Sequence, residues 1–264
     1  MDLGLAGAKA VVQGGTKGMG RAAAECLAAD GASVAALART QADLDAAVAR
    51  LLELGAADAI GLRADVTDGA QVDAAFEQVR DRWGDLNVLV NAAGPTVGGG
   101  FEELSDDDWL ASVDQTAMSM IRCVRAALPL LRAAEWARIV NVSAISTKRQ
   151  TPSLVAYTAA KAMVTSVTKN LSQSLAKEEI LVNTVSPGPV ATAGMEPLAR
   201  AAGVDLGDPY AVMRVLAERY GHPSQMPRVG VPDEIGSVIA FVASRRNSYM
   251  TGANVNVDGG TDFC

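Results

Sequence analysis

The sequence predicts one α/β domain over residues 1–264, in which helices flank a Rossmann-type, doubly wound parallel sheet of about seven strands. Three observations predict it. Short apolar runs alternate with helical patterns along the whole chain. A glycine-rich turn joins the first apolar run to the first helix. Aromatic residues make up only 4% of a chain that is 49% hydrophobic, a balance that suits a parallel sheet covered by helices.

The predicted elements alternate along the chain in the order that this fold requires. Strands are expected at about 9–13, 33–38, 59–64, 86–91, 137–143, 180–186 and 253–257. Helices are expected at about 18–30, 41–54, 69–83, 106–132, 154–177, 195–219 and 232–244. In such a sheet a ligand lies across the carboxyl ends of the strands, where the strand order reverses.

The first strand, turn and helix predict a site for a dinucleotide pyrophosphate. The apolar run at 9–13 ends in Gly14, and Gly18 and Gly20 follow before a helical pattern begins. Glycine allows sharp turns and close approach of the backbone to phosphate, and the helix N-terminus presents free N–H groups. A simple tight turn is the alternative, but the position at the first strand–helix junction favours the phosphate site.

The end of the second strand predicts the choice of cofactor. NAD sites normally carry an acidic residue there, which binds the ribose 2′-hydroxyl. Here Ala38 takes that position, Arg39 and Thr40 follow it, and Lys17 of the glycine loop can approach the same pocket. Two cations and a hydroxyl suit a 2′-phosphate dianion, so NADP(H) is favoured over NAD(H).

Tyr157 and Lys161 form a candidate proton-transfer pair. They lie four residues apart in a segment that is expected to be helical, so both side chains share one face. A free tyrosine titrates near pH ~10, and a neighbouring ammonium should lower that pKa. Taken alone, the pair is more often a half-buried tyrosine and a solvated lysine.

Together, Gly14-x-x-x-Gly18-x-Gly20 and Tyr157-x-x-x-Lys161 resemble the short-chain dehydrogenase/reductase family in its one-domain, classical form. The resemblance covers nearly the whole chain and fits 3-oxoacyl-thioester reductases and steroid or sugar dehydrogenases about equally. Further matching motifs are Asp65-Val66, Asn91-Ala92-Ala-Gly94, Pro187-Gly188-Pro-Val190-Ala-Thr192, and the segment from Tyr249 to Gly260. The cofactor-binding residues that the resemblance implies are Gly14, Thr16, Lys17, Gly18, Met19, Arg39, Thr40, Asp65, Val66, Asn91, Ala92, Gly94, Tyr157, Lys161, Pro187, Gly188, Val190 and Thr192.

Two members of the family's catalytic tetrad are replaced. The resemblance implies Thr116 at the position of the asparagine and Ala144 at the position of the serine. Ser143 and Ser146 are candidates for the missing hydroxyl. Strand alternation should turn Ser143 away from the side of Ala144, whereas Ser146 has the parity of Ala144 but follows the expected strand end. Loss of one such donor costs about 10²–10³ in rate in other enzymes.

The resemblance implies a carbonyl reductase or alcohol dehydrogenase. Tyr157 would donate a proton to the carbonyl oxygen, while Lys161 would orient the nicotinamide ribose and lower the Tyr157 pKa. A catalytically weak dinucleotide-binding sensor or structural subunit is the alternative. The retained pair favours an enzyme, because a pure binding protein has no need of it. The substrate is not predicted.

Residues 193–229 are rich in proline and glycine and irregular in pattern. In the family this region forms a mobile lid over the substrate, and a merely structural insertion is the alternative. Its position directly after the Pro187-Gly188 motif favours the lid, since active-site loops are the commonest use of long irregular segments. His222 lies within it and is given no catalytic role.

Composition and net charge limit the kinds of binding partner that are expected. The net charge is −7 without a basic patch, which argues against nucleic-acid binding. No apolar stretch reaches the ~18 residues of a membrane span, and no signal peptide is recognised. The three cysteines, Cys26, Cys123 and Cys264, have unrelated spacings and are expected to be reduced thiols of a cytoplasmic protein without a metal site.

The resemblance also implies a homotetramer or homodimer, in which the helices at 106–132 and 154–177 pack across a two-fold axis. Val164, Val167, Leu171 and Leu175 recur at helical spacing and could form that interface. The same face could instead pack on the sheet.

Overall fold

In the computed structural model, helices cover both faces of a parallel sheet. The structure describes residues 2–96, 98–221 and 223–263, so His222 and Cys264 lie outside the described residues. Within these ranges the sheet has seven strands in the order β3-β2-β1-β4-β5-β6-β7. The strands are β1 (Lys9–Gln13), β2 (Ser33–Ala38), β3 (Ala59–Arg63), β4 (Val88–Asn91), β5 (Ala137–Val142), β6 (Ile180–Pro187) and β7 (Asn254–Val257). The predicted fold class is confirmed.

Helices connect the strands as the sequence predicts, with two differences. They are α1 (Gly18–Ala29), α2 (Gln41–Glu53), α3 (Gly69–Trp83), α4 (Asp106–Val113), α5 (Ser119–Ala133), α6 (Val155–Leu175), α7 (Glu196–Ala202), α8 (Pro209–Tyr220) and α9 (Pro232–Ala243). The single α-helix expected at 106–132 is wrong, because a π-helical turn at Asp114–Met118 separates α4 from α5. The irregular helix expected at 195–219 consists of α7 and α8, which are separate helices.

Residues 193–229 pack around a small cluster of their own. Val212, Met213, Leu216 and Val229 are buried there, and Ala191 and Leu198 are among the side chains that pack against them. This cluster is separate from the two larger apolar layers that lie on either face of the sheet. Folding the region around its own apolar cluster keeps it distinct from the sheet core that positions the other motifs.

The two main core layers follow from the alternation of side chains along the strands. Val11 of β1 packs into one layer, and its neighbours Ala10 and Val12 pack into the other. The face of α6 that carries Val164 and Leu175 is buried in the first layer against the sheet. Val167 and Leu171 of the same face are only partly buried against this layer.

The strand order reverses at β1, which pairs with β2 on one side and β4 on the other. The crossovers therefore diverge here, and a crevice opens at the carboxyl ends of β1 and β4.

Within the described ranges, no helix combines the length and apolar character needed to cross a membrane. The same ranges contain no group of three or more His, Cys, Asp or Glu side chains that could hold a metal ion. Cys26 and Cys123 are free thiols.

Candidate active site

The glycine loop forms a cradle that fits a pyrophosphate. Gly14 has a φ of +78°, and a Cβ on it would lie 3.1 Å from the backbone nitrogen of Ala93. A Cβ on Gly20 would collide with the carbonyl oxygen of Gly14, so only glycine lets α1 begin this close to the loop. Lys17 is the N-cap of α1 but caps no N–H group with its side chain, and no acidic residue lies in the first turn. The N-terminus of α1 is therefore free to receive an anion.

The Pro187–Thr192 motif faces the glycine loop. The methyl carbon Cγ2 of Thr192 lies 3.4 Å from the position that a Cβ on Gly18 would take. Gly188 donates its N–H to the carbonyl of Val257 at 3.0 Å, and Val190 forms a β-bridge with Gly230. The glycine loop and this motif thus form two walls of one crevice.

The residues at the ends of β2 and β3 lie beside the same crevice. Arg39 is exposed and has no ion-pair partner within the described residues. Asp65 accepts hydrogen bonds from the N–H and hydroxyl of Thr67, at 3.0 and 2.7 Å, and these bonds lower its pKa. The charge of Arg39 adds to that effect, so the two side chains sense each other electrostatically. Val66 is partly buried against the core.

Lys17 has a partner that the sequence did not predict. Its Nζ lies 2.7 Å from a carboxylate oxygen of Asp43 in α2. A cavity of about 520 Å³ separates the glycine loop from α2, and Thr16, Lys17 and Asp43 are among the residues that line it. One of the two cations expected at the 2′-phosphate is therefore already paired.

Lys161 is buried beside Tyr157. Only 3% of the residue is exposed, and its Nζ donates to the carbonyl of Val142 at 2.8 Å. The Nζ lies 5.8 Å from the centroid of the Tyr157 ring. Burial lowers the pKa of Lys161 to about 8. The α6 helix thus brings the two predicted side chains together.

The expected lowering of the Tyr157 pKa is wrong for this structure. Burial raises the pKa of Tyr157 to about 12, and a hydrogen bond with the Thr96 side chain opposes the rise only in part. Loss of solvent disfavours the phenolate, while the Lys161 ammonium is directed at the Val142 carbonyl. Sequence spacing places the pair but does not reveal the degree of burial.

Thr116, which is predicted to take the position of the family asparagine, lies in the π-helical turn. Its Oγ1 is buried and has no hydrogen-bond partner within the described part of the chain. A Cβ on Gly94 would lie 3.3 Å from that oxygen and 3.5 Å from the Lys161 Nζ. The structure therefore brings Thr116, Gly94 and Lys161 together, and π-helical turns often occur at functional sites.

Ser143 and Ser146 differ in orientation. The Ser143 hydroxyl donates to the carbonyl of Lys161 at 3.1 Å and lies 2.9 Å from the Thr165 hydroxyl, so it is directed at α6. Of the two tentative replacements for the missing serine, Ser143 is not supported by this geometry. Ser146 lies in a 3₁₀ turn after β5, and its buried Oγ has no partner among the described residues.

A row of polar side chains, of which the sequence predicted only Asn91 as a site residue, crosses the sheet below the crevice. The row takes one residue from each of five neighbouring strands: Gln13, Asn91, Asn141, Thr184 and Asn254. Because these residues are paired in register, their side chains share one face of the sheet. Asn91 donates to Asn141 at 2.8 Å, and Asn141 donates to Thr168 at 2.9 Å. Polar residues near the ends of otherwise apolar strands were the available signal.

Comparison with known proteins identifies the family. The family model described as "Enoyl-(Acyl carrier protein) reductase" matches residues 14–262. Short-chain reductase protein NovJ of Streptomyces niveus is 34% identical over 251 residues, which cover 95% of this chain and 92% of NovJ. The 3-oxoacyl-[acyl-carrier-protein] reductase FabG of Haemophilus influenzae is 31% identical over 258 residues, or 97% of this chain and 98% of FabG.

A solved structure agrees with these relatives. L-sorbose reductase from Gluconobacter frateurii, in complex with NADPH and L-sorbose, matches with a TM-score of 0.91 at 28% identity over 100% of both chains. The glycine cradle, Tyr157 beside the buried Lys161, and these similarities lead to one conclusion: the chain belongs to the short-chain dehydrogenase/reductase family of oxidoreductases.

Proposed function

We propose that the protein is an NADP(H)-dependent oxidoreductase that interconverts a carbonyl compound and a secondary alcohol. The observation that carries the proposal is the buried lysine beside a tyrosine at the carboxyl end of the sheet. The Nζ of Lys161 lies 5.8 Å from the Tyr157 ring centroid, in a crevice that also contains the glycine cradle. A structural role does not require a lysine that is 3% exposed and has its pKa lowered to about 8.

The crevice fits the cofactor. The cradle of Gly14, Gly18 and Gly20 would hold the pyrophosphate, and Arg39 and Thr40 would receive the 2′-phosphate. When bound, the cofactor supplies the hydride through its nicotinamide ring. The structural neighbours support NADP(H), since L-sorbose reductase was solved with NADPH and RhlG of Pseudomonas aeruginosa with NADP. The other motif residues retained for this role are Thr16, Lys17, Met19, Asp65, Val66, Asn91, Ala92, Gly94, Pro187, Gly188, Val190 and Thr192.

Tyr157 and Lys161 would carry out the proton transfer. With a pKa of about 12, Tyr157 stays protonated at neutral pH and can donate to the carbonyl oxygen as negative charge develops there. Lys161, still largely protonated at pH 7, then compensates the charge left on the tyrosine. Ser146 is the remaining candidate for the second donor to that oxygen, because its hydroxyl has no partner among the described residues and Ala144 has no hydroxyl; since this hydroxyl is buried, it would have to turn towards the substrate.

The second candidate function is a catalytically weak dinucleotide-binding sensor or structural subunit. The orientation of Ser143 towards α6 and the presence of Ala144 favour it, because no hydroxyl occupies the position of the family serine. Oxidation of NADPH by the purified protein separates the two functions. The panel comprises a 3-oxoacyl thioester, a ketose sugar and a ketosteroid, and absence of turnover with all three would favour the binding protein.

The decisive variant is Tyr157→Phe. It keeps the ring and the helix but removes the proton donor at the reacting oxygen. We expect loss of turnover with NADPH binding changed less than about twofold, since the phenol contributes little to cofactor affinity. Full activity in this variant would exclude the proposed mechanism.

Arg39→Ala tests the cofactor. It should weaken NADPH binding by about tenfold or more and change NADH binding little, because only NADPH carries the phosphate that the guanidinium meets. Equal affinity of the unmutated protein for NADPH and NADH, measured by fluorescence titration, would contradict NADP(H) dependence.

We also propose that residues 193–229 act as the substrate lid. The separate apolar cluster of this region supports the proposal.

Assembly into a homotetramer or homodimer through α4, α5 and α6 stays a prediction. It draws support from Leu110 on α4, which is 66% exposed. A monomer mass in light scattering at micromolar concentration would contradict it.

A further inference from the structure

The two cations beside the proposed 2′-phosphate site differ in availability. Lys17 forms an ion pair with Asp43 at 2.7 Å. Arg39 has no ion-pair partner within the described ranges. An arriving phosphate therefore meets a guanidinium without an ion-pair partner and an ammonium that is already paired.

Asp43 lies where a phosphate on Arg39 and Thr40 would feel its charge. It belongs to the first turn of α2, three residues after Thr40, the N-cap of that helix. The Thr40 hydroxyl does not cap the helix, so both this hydroxyl and the first N–H groups of α2 are available to an anion. Asp43 and Lys17 also line the same cavity between α2 and the glycine loop.

A 2′-phosphate and Asp43 compete for one ammonium group. The ion pair is exposed, with 68% of the Lys17 side chain and 31% of the Asp43 side chain accessible. Exposed pairs of this kind contribute little stability, so Lys17 can leave Asp43 for a dianion at small cost. Binding of the dianion therefore breaks the Lys17–Asp43 ion pair, and the cost of breaking it lowers the affinity for a 2′-phosphate.

We propose that Asp43 is a specificity-determining residue that weakens binding of 2′-phosphorylated dinucleotides by holding Lys17. Arg39 then supplies most of the preference for NADP(H), and Asp43 limits how large that preference becomes. This inference rests on the proposed NADP(H) dependence. It predicts that removing an acidic side chain makes the cofactor site more selective for phosphate.

The test measures binding without turnover. Adenosine 2′,5′-bisphosphate and adenosine 5′-monophosphate are titrated calorimetrically into the purified protein, because they differ only in the 2′-phosphate and neither carries a nicotinamide. Asp43→Asn should tighten binding of the 2′,5′-bisphosphate by about 3- to 10-fold and change 5′-monophosphate binding by less than about twofold. Raising the NaCl concentration to about 0.5 M should shrink the gain, since salt screens exposed charges.

Asp45→Asn is the matched control. Asp45 lies on the same helix and loses the same charge, but its carboxylate accepts a hydrogen bond from Gln41 at 2.8 Å and lines a different cavity. It should leave the affinity for both nucleotides within about twofold of the unmutated protein. An equal gain in Asp45→Asn and Asp43→Asn would mean that net charge, not the Lys17 pair, is responsible, and would overturn the inference.

A second background tests the role of Lys17. In Lys17→Met, the gain from Asp43→Asn should be smaller than in the unmutated protein, because no ammonium is left to release. An undiminished gain would show that Asp43 does not act through Lys17. The experiment distinguishes failure of the proposed NADP(H) dependence from failure of the proposed role of Asp43. A protein without preference for the 2′,5′-bisphosphate contradicts NADP(H) dependence itself, whereas a preference that Asp43→Asn leaves unchanged contradicts only the role of Asp43.

Discussion

Burying Lys161 should destabilise the folded protein, and the size of this effect should depend on pH. The residue is 3% exposed, and its Nζ is held by the Val142 carbonyl with no ion-pair partner in the described part of the chain. Burial lowers its pKa from 10.5 to about 8. Lys161→Met removes the charge and keeps most of the side-chain length.

The pKa values set the sign and the size of the effect. Below pH 8 both the folded and the unfolded protein hold the proton, and the folded state bears the full cost of the buried cation. Between pH 8 and 10.5 the unfolded state binds more protons, so the free energy of unfolding rises with pH. The difference between the two pKa values corresponds to about 3 kcal/mol, of which about 2.5 kcal/mol is recovered between pH 7 and pH 10.

Urea unfolding of the protein and of Lys161→Met at pH 7, 8, 9 and 10 measures this. The stability of the variant relative to the unmutated protein should fall by about 2–3 kcal/mol over that range, whatever its value at pH 7. The comparison stops at pH 10 because Tyr157, whose pKa is raised to about 12, contributes above its ordinary value of 10.

Lys169→Met is the control, since Lys169 is an exposed lysine on the same helix whose Nζ donates to the Gly252 carbonyl at 3.0 Å. Its effect should not change with pH by more than about 0.5 kcal/mol. A constant difference between Lys161→Met and the unmutated protein would refute the argument, because it would mean that Lys161 titrates alike in both states.

Three other predictions follow from the geometry. Ala144→Ser should raise kcat for ketone reduction, measured by NADPH absorbance, by about tenfold or more. If Ser146 already supplies the hydrogen-bond donor, Ala144→Ser should have little effect, and Ser146→Ala should instead lower kcat about 100-fold. Ser143→Ala should lower the free energy of unfolding by about 1 kcal/mol and leave kcat within twofold, because its hydroxyl bonds to α6. Gly236→Ala should lower the free energy of unfolding by about 2–4 kcal/mol, measured by urea unfolding, since the added Cβ would lie 2.6 Å from the carbonyl carbon of Ala22.

The sequence predicted those parts of the protein that depend on local pattern. Alternation of strand and helix patterns gave the order of elements, and strand parity correctly turned Ser143 away from the side of Ala144. The spacing of Tyr157 and Lys161 correctly placed both side chains together. Each of these inferences needs only the geometry of one element.

The π-helical turn at Asp114–Met118 could not be predicted in the same way. It contains neither glycine nor proline, and the residues on both sides of it continue a helical pattern. The extra residue rotates the following helix by about 100° relative to the preceding one. As a result α4 packs on α6 while α5 packs on α3 and the sheet, and Thr116 reaches the site. The cause is tertiary packing, which no local pattern records.

The error over the Tyr157 pKa and the unforeseen pairing of Lys17 with Asp43 also arise from tertiary structure. Burial decided the direction of the Tyr157 pKa, and burial depends on the whole crevice. The pairing of Lys17 with Asp43 joins residues 26 positions apart, one in the glycine loop before α1 and one in α2. Distances of this kind follow from how two helices sit on the sheet, so the sequence shows the charges without showing which are paired.

The two halves of the site differ in what they retain. The cofactor half keeps its glycine cradle and an Arg39 without an ion-pair partner among the described residues, whereas the reaction half retains Tyr157 and Lys161 but is predicted to have Ala144 and Thr116 in place of two family residues. A tyrosine with a pKa of about 12 is a proton donor at neutral pH and a poor proton acceptor. Under the proposed function, loss of a second hydrogen-bond donor should lower the rate without removing the source of the proton, which is Tyr157.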